Sequence, residues 1–344
     1  MSMWRVWIRR IIVGAAIFVG LTTLVLRGLW EDRPNLDDID WPEPEITATI
    51  TGDAVTVTWL GVTTLLFDDG DTQLLIDGFF SRPTLAESVF DQPVNNDAAI
   101  INYAMNEFRM RRLAAIIPVH SHFDHAMDVG AIANRSLASV LGSESTAQIA
   151  RGAGVPEEQI IVADENQPYQ FGQFKVTLQP SPHAPVGWGG TVPFDGKIAA
   201  PLVMPQPVSA FRMGGAWSIV IEHPQGTSLV QGSSGFQKYA LRETPVDVVF
   251  LGIGLLDSIS REYAELYWQH TVTATGAHTV YPIHFDDYTK PFGDIQAGPR
   301  VLTNVVTTAK WLEEFRDRWD KDVAFYLPRF GEPIAIYASA ASGS

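Results

Sequence analysis

The sequence predicts an α/β layered domain carried behind an N-terminal transmembrane helix. Three observations predict it: an uncharged apolar stretch near the N-terminus, strand-type alternation arranged as hairpins early in the body, and later strands that alternate with helical segments. A chain of 344 residues, 46 % hydrophobic and 18 % charged, can fill such a core, and this composition excludes disorder over most of its length.

Residues 11–26 (IIVGAAIFVGLTTLVL) carry no charge. With Gly28, Leu29 and Trp30 the apolar stretch covers about 20 residues, roughly 30 Å as a helix, provided Arg27 snorkels. That length crosses a bilayer, and Trp4, Trp7 and Trp30 suit its interfaces. Val25, Leu26 and Leu29 stand where a cleavage site needs small residues, so a retained anchor over residues 1–30 is favoured over a form secreted after signal cleavage. Arg5, Arg9 and Arg10 precede the span and only Arg27 and Arg33 follow it closely, which places the N-terminus in the cytoplasm and the body outside it. Residues 31–46 (EDRPNLDDIDWPEPEI) read as an acidic, proline-containing linker or strap. The domain proper is expected over 47–338, with a flexible tail at 339–344.

Within the body, Val55, Val57 and Trp59 alternate with threonines, and residues 63–67 and 73–76 flank a DDGD turn, which predicts a hairpin. Residues 97–112 have helical spacing, 113–119 form a short apolar run, and 132–153 read as one helical stretch. Residues 174–178, 217–221, 228–230, 246–251 and 279–283 read as strands. Residues 261–275 and 303–319 read as late helices, with Gly276 placed as a stop. The proline-rich stretch 180–215 fits neither pattern and reads either as a lid or binding loop or as an ordered surface excursion whose apolar residues pack down.

The formal net charge of −15 belongs to the body, because the first 33 residues hold five arginines against Glu31 and Asp32. So acidic a body repels phosphate backbones, which excludes nucleic acid as a partner. With no cysteine in the chain, disulfides, thiolate metal sites and cysteine nucleophiles are excluded too. Any metal must sit on His, Asp or Glu.

Such ligands are concentrated in HSHFDH, which follows the apolar run 113–119 directly and supplies His120, His122, Asp124 and His125. In an extended segment His120 and His122 project to one side and can share an ion. Asp124 and His125, after a turn, can address a second.

This string and its surroundings resemble the metallo-β-lactamase fold superfamily from about residue 55 to 337. VTWLGVTTLLFDDGDTQLLIDGFF is similar to its opening strands, and GSESTAQIARGAGVP to the branch of N-acyl-phosphatidylethanolamine phospholipase D and the ascorbate-6-phosphate lactonases. The resemblance implies an αββα sandwich binding one or two divalent ions, zinc foremost. One ion would be held by His120, His122 and His183 of PSPHAP, the other by Asp124, His125 and His284 of YPIHFDD. The family pattern also has a bridging carboxylate between the two late histidines, and here QGSSGF places Ser233 at that position. A hydroxyl is a far weaker ligand for a divalent ion and removes a negative charge. Asp286, and less so Asp287, are candidates for the missing ligand, or else cap a turn or support a ligating His. Asp128 and Asp77 are candidate supports of the same kind. His223, His270 and His278 match no motif position and read as structural.

A water on such an ion has its pKa lowered toward about 7 and can attack a carbonyl or phosphoryl centre; in a one-metal site Asp124 could orient or deprotonate it, a role distinct from ligation. The expected function is therefore a membrane-anchored, metal-dependent hydrolase of an ester, lactone or phosphodiester. Its expected partners are the bilayer and a small-molecule or lipid-like substrate, including one cleaved in a phospholipase D-like manner. The alternative is a binding or assembly module that keeps the fold with one metal or none. A β-lactamase acting on antibiotics is disfavoured, because the nearer resemblance is to the phospholipase and lactonase branch.

Overall fold

The computed structural model describes residues 3–44 and 54–337. The apolar N-terminal stretch is one helix, α1 (Met3–Glu31), none of whose residues is buried against the body. At 1.5 Å per residue it is about 44 Å long. By length and composition it is a candidate membrane span; a signal sequence has the same character.

The first half of the body builds one sheet. Its strands are β1 (Thr56–Trp59), β2 (Leu65–Asp68), β3 (Gln73–Ile76), β5 (Leu113–Ile117), β6 (Ser139–Gly142) and β7 (Ile160–Val162), with a two-residue ribbon strand β4 (Pro93–Val94) outside it. Four helices connect them: α2 (Leu85–Val89), α3 (Ala98–Glu107), α5 (Val129–Ser136) and α6 (Glu144–Gly152), while the short α4 (Phe123–Ala126) follows β5. The second sheet is β8 (Pro168–Phe171), β9 (Phe174–Ser181), β11 (Ala216–His223), β12 (Gly226–Gln231), β13 (Val248–Gly252), β14 (Thr279–Ile283) and β15 (Ala324–Phe325); β10 (Gln206–Pro207) pairs with β4. The helices α7 (Arg261–Trp268) and α8 (Val305–Trp319) belong to this half, and β16 (Pro333–Ala335) returns to close the first sheet beside β1. Each sheet begins antiparallel and ends parallel, as expected when hairpins give way to strand–helix crossovers.

Side-chain alternation assembles the layers. Val57, Leu65, Phe67, Leu74 and Ile76 turn inward and meet Phe174, Ile219 and Phe250 of the other sheet, whereas Leu66, Leu75 and Ile116 turn outward against Ile101, Ile132 and Ile149 of α3, α5 and α6. On the far side Ala264, Trp268, Leu312 and Phe315 cover the second sheet. The result is an αββα sandwich, as the sequence predicts. Each fully buried Leu, Ile or Phe in these layers contributes about 1.5–3 kcal/mol of transfer free energy.

One sequence expectation changes, and one open choice closes. The single helical stretch at 132–153 is two helices separated by β6: α5 ends at Leu137 in the left-handed region (φ 63°), residues 139–142 pair with β5 and β7, and the Ser143 hydroxyl caps α6 by accepting from the Thr146 N–H. Apolar residues on two adjacent helices mimic one helical period. Of the linker and the strap read for 31–46, the described part takes the form of the strap. Trp41 is buried and stacks on Phe325 at 4.7 Å, Ile39 is buried, and the Leu327 N–H donates to the Pro42 carbonyl. The domain start at residue 47 and the tail at 339–344 lie outside the described residues. The late helix 261–275 is α-helical to Trp268, continues as a wider turn over Gln269–Thr273, and stops at Gly276 (φ 67°).

Candidate metal centre

The strand β5 delivers His120 to the end of the first sheet, where it is fully buried. His122 follows in extended backbone (φ −64°, ψ 158°) as the residue before α4, so His120 and His122 share one side while Asp124 and His125 sit on the helical turn. His183 comes from the segment after β9, and His284 from the end of β14 in the left-handed region (φ 60°), its N–H donating to the Val62 carbonyl. That pose needs Gly254, where a Cβ would lie 2.6 Å from the His284 carbonyl oxygen.

The structure brings the six predicted ligands into two groups of three, His120, His122 and His183 in one and Asp124, His125 and His284 in the other, with the donor atoms of each group within 4.8 Å of one another. In the first group His120 Nε2 and His122 Nδ1 face each other at 2.9 Å, and His183 commits Nδ1 to the Ala184 carbonyl, leaving Nε2 for the group. In the second, Asp124 Oδ2 lies 3.5 Å from His125 Nε2 and 3.6 Å from His284 Nε2. Both groups open on a cavity of about 230 Å³ lined by His122, Asp124, His183, Ser233, His284 and Tyr288 among others.

Protonation suits ligation. Burial, helped by neighbouring histidines, holds His120 well below its ordinary pKa, and burial takes His122 down to about 4, so both rings are neutral with free lone pairs. Burial alone would raise Asp124, but His125 and His284 outweigh it and hold the carboxyl well below the usual carboxylate range. For His125 burial is opposed by Asp124 and Asp77, and the pKa is raised.

The donor set fits a divalent cation. Two neutral rings meet nitrogen to nitrogen at 2.9 Å, and the other ring nitrogens, His120 Nδ1 and His122 Nε2, are buried without a hydrogen-bond partner, as is Ser233 Oγ. A cation held by the two facing nitrogens would replace that contact and fix the ring protons on His120 Nδ1 and His122 Nε2, and an all-N,O set suits zinc and similar ions.

The supporting carboxylates separate by role. Asp77 Oδ2 pairs with His125 Nδ1 at 2.7 Å while its Oδ1 accepts the Val119 N–H, so it orients His125 for ligation through Nε2. Asp128 touches no ligand histidine, contrary to the expectation of a supporting role there. It accepts from the Phe80 N–H, the Ser81 N–H and hydroxyl, and the Asn96 amide. Asp286 lies outside both ligand groups: its Oδ1 accepts the Val62 N–H at 2.8 Å, and burial raises its pKa despite the opposing charge of the buried Arg82 guanidinium. A replacement ligand there is thus not what the geometry provides. Asp287 caps a turn through the Thr289 N–H and hydroxyl and pairs with Arg33 at 2.7 Å. Ser233 lines the cavity beside His183, its carbonyl accepting the Ala184 N–H.

His223 pairs weakly with Asp69 at 3.6 Å, His270 stacks on Phe236 at 5.3 Å, and His278 is exposed; none belongs to either ligand group. Three cavity features escape the sequence. Tyr288, packed on Phe123 at 5.5 Å, has its hydroxyl pushed up to about 12 by burial and the nearby Asp124, so it stays protonated. Trp30 of α1 lines the cavity, and Arg33 reaches its rim through Asp287. Only the aromatic character of Trp30 is visible in sequence, and that points to a membrane interface.

No family model matches the chain. A UPF0173 metal-dependent hydrolase of Pyrobaculum islandicum is 22 % identical over 236 residues, covering 67 % of this chain and 84 % of the relative. Among solved structures, the isothiocyanate hydrolase from Delia radicum gut bacteria aligns with a TM-score of 0.52 at 15 % identity over 82 % of this chain and 100 % of that one. The metallo-β-lactamase fold protein YhfI of Bacillus subtilis aligns with a TM-score of 0.50 at 14 % identity over 82 % and 98 %. CmlA, a diiron β-hydroxylase of Streptomyces venezuelae, aligns with a TM-score of 0.51 at 14 % identity over 83 % and 55 %. Together with the sheet order and the paired ligand groups, these likenesses show that the chain has the metallo-β-lactamase fold.

Proposed function

We propose that this chain is a membrane-anchored, metal-dependent hydrolase acting on an ester, lactone or phosphodiester, with zinc as the first choice of ion and a lipid-like substrate. The observation that carries the reading is the pair of three-ligand groups opening on one cavity. The anchor reading is supported by the bare apolar α1, and its orientation, N-terminus in the cytoplasm, by Arg5, Arg9 and Arg10. The lipid-like substrate is supported by the phospholipase-like sequence stretch and by the apolar side of the cavity, where Val186, Phe194, Ile253 and Leu255 contribute.

His120, His122 and His183 would hold one ion, and Asp124, His125 and His284 a second. When bound, such an ion supplies a water of lowered pKa and polarises the carbonyl or phosphoryl oxygen under attack. The chain's own residues do the rest. Where only the first group holds an ion, Asp124, ionised, would be free to orient the attacking water instead of ligating. Asp77 fixes the His125 ring, and Tyr288 presents a protonated hydroxyl to the cavity for an oxygen that gains charge. Phe194, 6.1 Å from the His122 ring, lines the apolar side of the cavity.

Ser233 favours a second reading, a single-metal binding or assembly module, because it leaves the second group without a bridging carboxylate. CmlA shows that this fold also carries a chemistry other than hydrolysis. Chromogenic esters, lactones and phosphodiesters offered to the full chain with Zn²⁺ or Mn²⁺ divide the two. Metal-dependent turnover of one class is expected, and a metal-loaded chain inert to all of them supports the module.

Ser233→Asp is expected to raise affinity for the second ion at least about tenfold, because it puts a carboxylate where a buried hydroxyl has no partner. Competition titration against a chelating dye measures this; unchanged affinity would remove Ser233 from the bridge position.

A further inference from the structure

We infer that the end of α1 is a wall of the reaction cavity, and that the cavity takes an ester or phosphodiester with a hydrocarbon tail directly from the bilayer interface. The substrate half rests on the hydrolase reading; the placement half does not.

Trp30, in the last turn of α1, lines the same cavity as His122, His183 and His284. An apolar helix and a catalytic body joined by a loose tether would have no such shared wall. Here the junction is fastened to the segment that follows His284. The Arg33 guanidinium pairs with Asp287 at 2.7 Å and donates to the Ala297 carbonyl. The Arg300 N–H donates to the Asp32 carbonyl at 2.8 Å, and the Arg300 side chain reaches both Asp32 and the Arg33 carbonyl at 3.3 Å. The helix end, the strap and the loop at 297–303 therefore form one unit, and the ligand His284 stands close to it in sequence.

That unit is apolar where it meets the cavity. Pro299, Leu302 and Val305 line it beside Trp30, and Val301 and Leu302 are 55 % and 48 % exposed next to the point where α1 leaves the body. Exposed aliphatic side chains continuous with a bare apolar span bury their surface most cheaply in lipid. A tryptophan at the end of a span, followed by Glu31, Asp32 and Arg33, marks the depth where hydrocarbon gives way to headgroups. A cavity walled by that tryptophan opens at the same depth. An amphiphile in the bilayer would present its polar ester or phosphodiester to the ligand groups while its tail stays along Trp30 and Leu302.

Because the chain has no cysteine, single labels test the placement. In full-length protein reconstituted in phosphatidylcholine vesicles, a nitroxide on Val301→Cys should collide more with oxygen than with a water-soluble nickel chelate. The same label on Leu137→Cys, a position 79 % exposed on the turn after α5, should behave as in water. Water-like behaviour of both labels overturns the placement whether or not the protein is a hydrolase. For the substrate, Val301→Asp and Trp30→Ala are compared with the parent chain, with Zn²⁺ present, on two probes. One is a nitrophenyl phosphodiester with a hexadecyl tail held in vesicles, the other soluble bis(4-nitrophenyl) phosphate. The ratio of tailed to soluble turnover should fall at least tenfold. An unchanged ratio means the substrate arrives from solution and overturns the inference. Turnover of neither probe by the metal-loaded parent chain overturns the phosphodiesterase form of the substrate claim, and the tailed and soluble pair of nitrophenyl esters then decides the ester form by the same ratio.

Discussion

The His120→Ala, His122→Ala double variant is expected to lose the bound ion of the first group and to fall about 10³-fold or more in hydrolytic turnover. His120 and His122 supply two of the three donors of that group, leaving His183 alone, and a single imidazole does not retain a divalent ion at micromolar concentration. The fold should survive. Both side chains stand at the cavity end of the sheet, while the core on either side of β5 is formed by Ala115, Ile116 and Ile117. The substitution removes two unpartnered ring nitrogens but also the 2.9 Å ring-to-ring hydrogen bond and the volume of two buried rings, so the apo variant should stay folded with a loss of about 1–3 kcal/mol relative to the parent apo protein, read by thermal unfolding in detergent micelles. Metal analysis of purified full-length protein checks the first part: near-stoichiometric zinc or another divalent ion in the parent chain, and at most the second group's share in the variant. A parent chain that takes up no divalent ion would sink the hydrolase reading.

Asp128→Ala is expected to cost about 3–5 kcal/mol of unfolding free energy. The carboxylate is fully buried and accepts four hydrogen bonds, two of them from the main-chain N–H groups of Phe80 and Ser81. Alanine leaves those two amides without an acceptor in a region no water reaches readily, at about 1–3 kcal/mol each, and frees Asn96, which also holds the Met127 carbonyl. Chemical unfolding in micelles measures the loss, and a change below about 1 kcal/mol would contradict the assignment. The folded fraction should keep its full metal content, because Asp128 touches no ligand histidine. A loss of metal without a loss of stability would instead return Asp128 to the role its sequence position suggests.

The contrast between Asp77 and Asp128 shows where sequence reading stops. Both are acidic residues near HSHFDH or the end of an early strand, and by sequence both are equal candidates to support a ligand. In the structure Asp77, in the left-handed region at the end of β3, faces His125, whereas Asp128 faces away toward the turn at residues 79–81. The difference is a matter of which side of β5 each carboxylate reaches, and that depends on the parallel pairing of β3 with β5. Asp286 and Asp287 divide in the same way. Two residues past His284, Asp286 is drawn to the Val62 amide and Arg82, and its neighbour to Arg33, a residue far earlier in the chain. The split of 132–153 has a related cause, since Val140 and Leu141 are strand residues only because β5 and β7 flank them.

By itself the sequence determined the chemistry available and the local geometry that presents it. Without cysteine any metal ligands had to be nitrogen and oxygen donors, and an extended H-x-H followed by a helical D-H can present two pairs of donors to two places. Alternation with period two likewise assigned inward and outward faces to the early strands. Family order in the sequence already named His183 and His284 as completing the two groups; the tertiary structure alone decided what surrounds them: Tyr288 at the cavity wall, and Trp30 and Arg33 bringing the apolar helix to its rim. Backbone periodicity and ligand chemistry act over a few residues and are written in order along the chain. Which loop ends meet at one end of a sandwich is set by the pairing and packing of two seven-stranded sheets, which no local stretch of sequence contains.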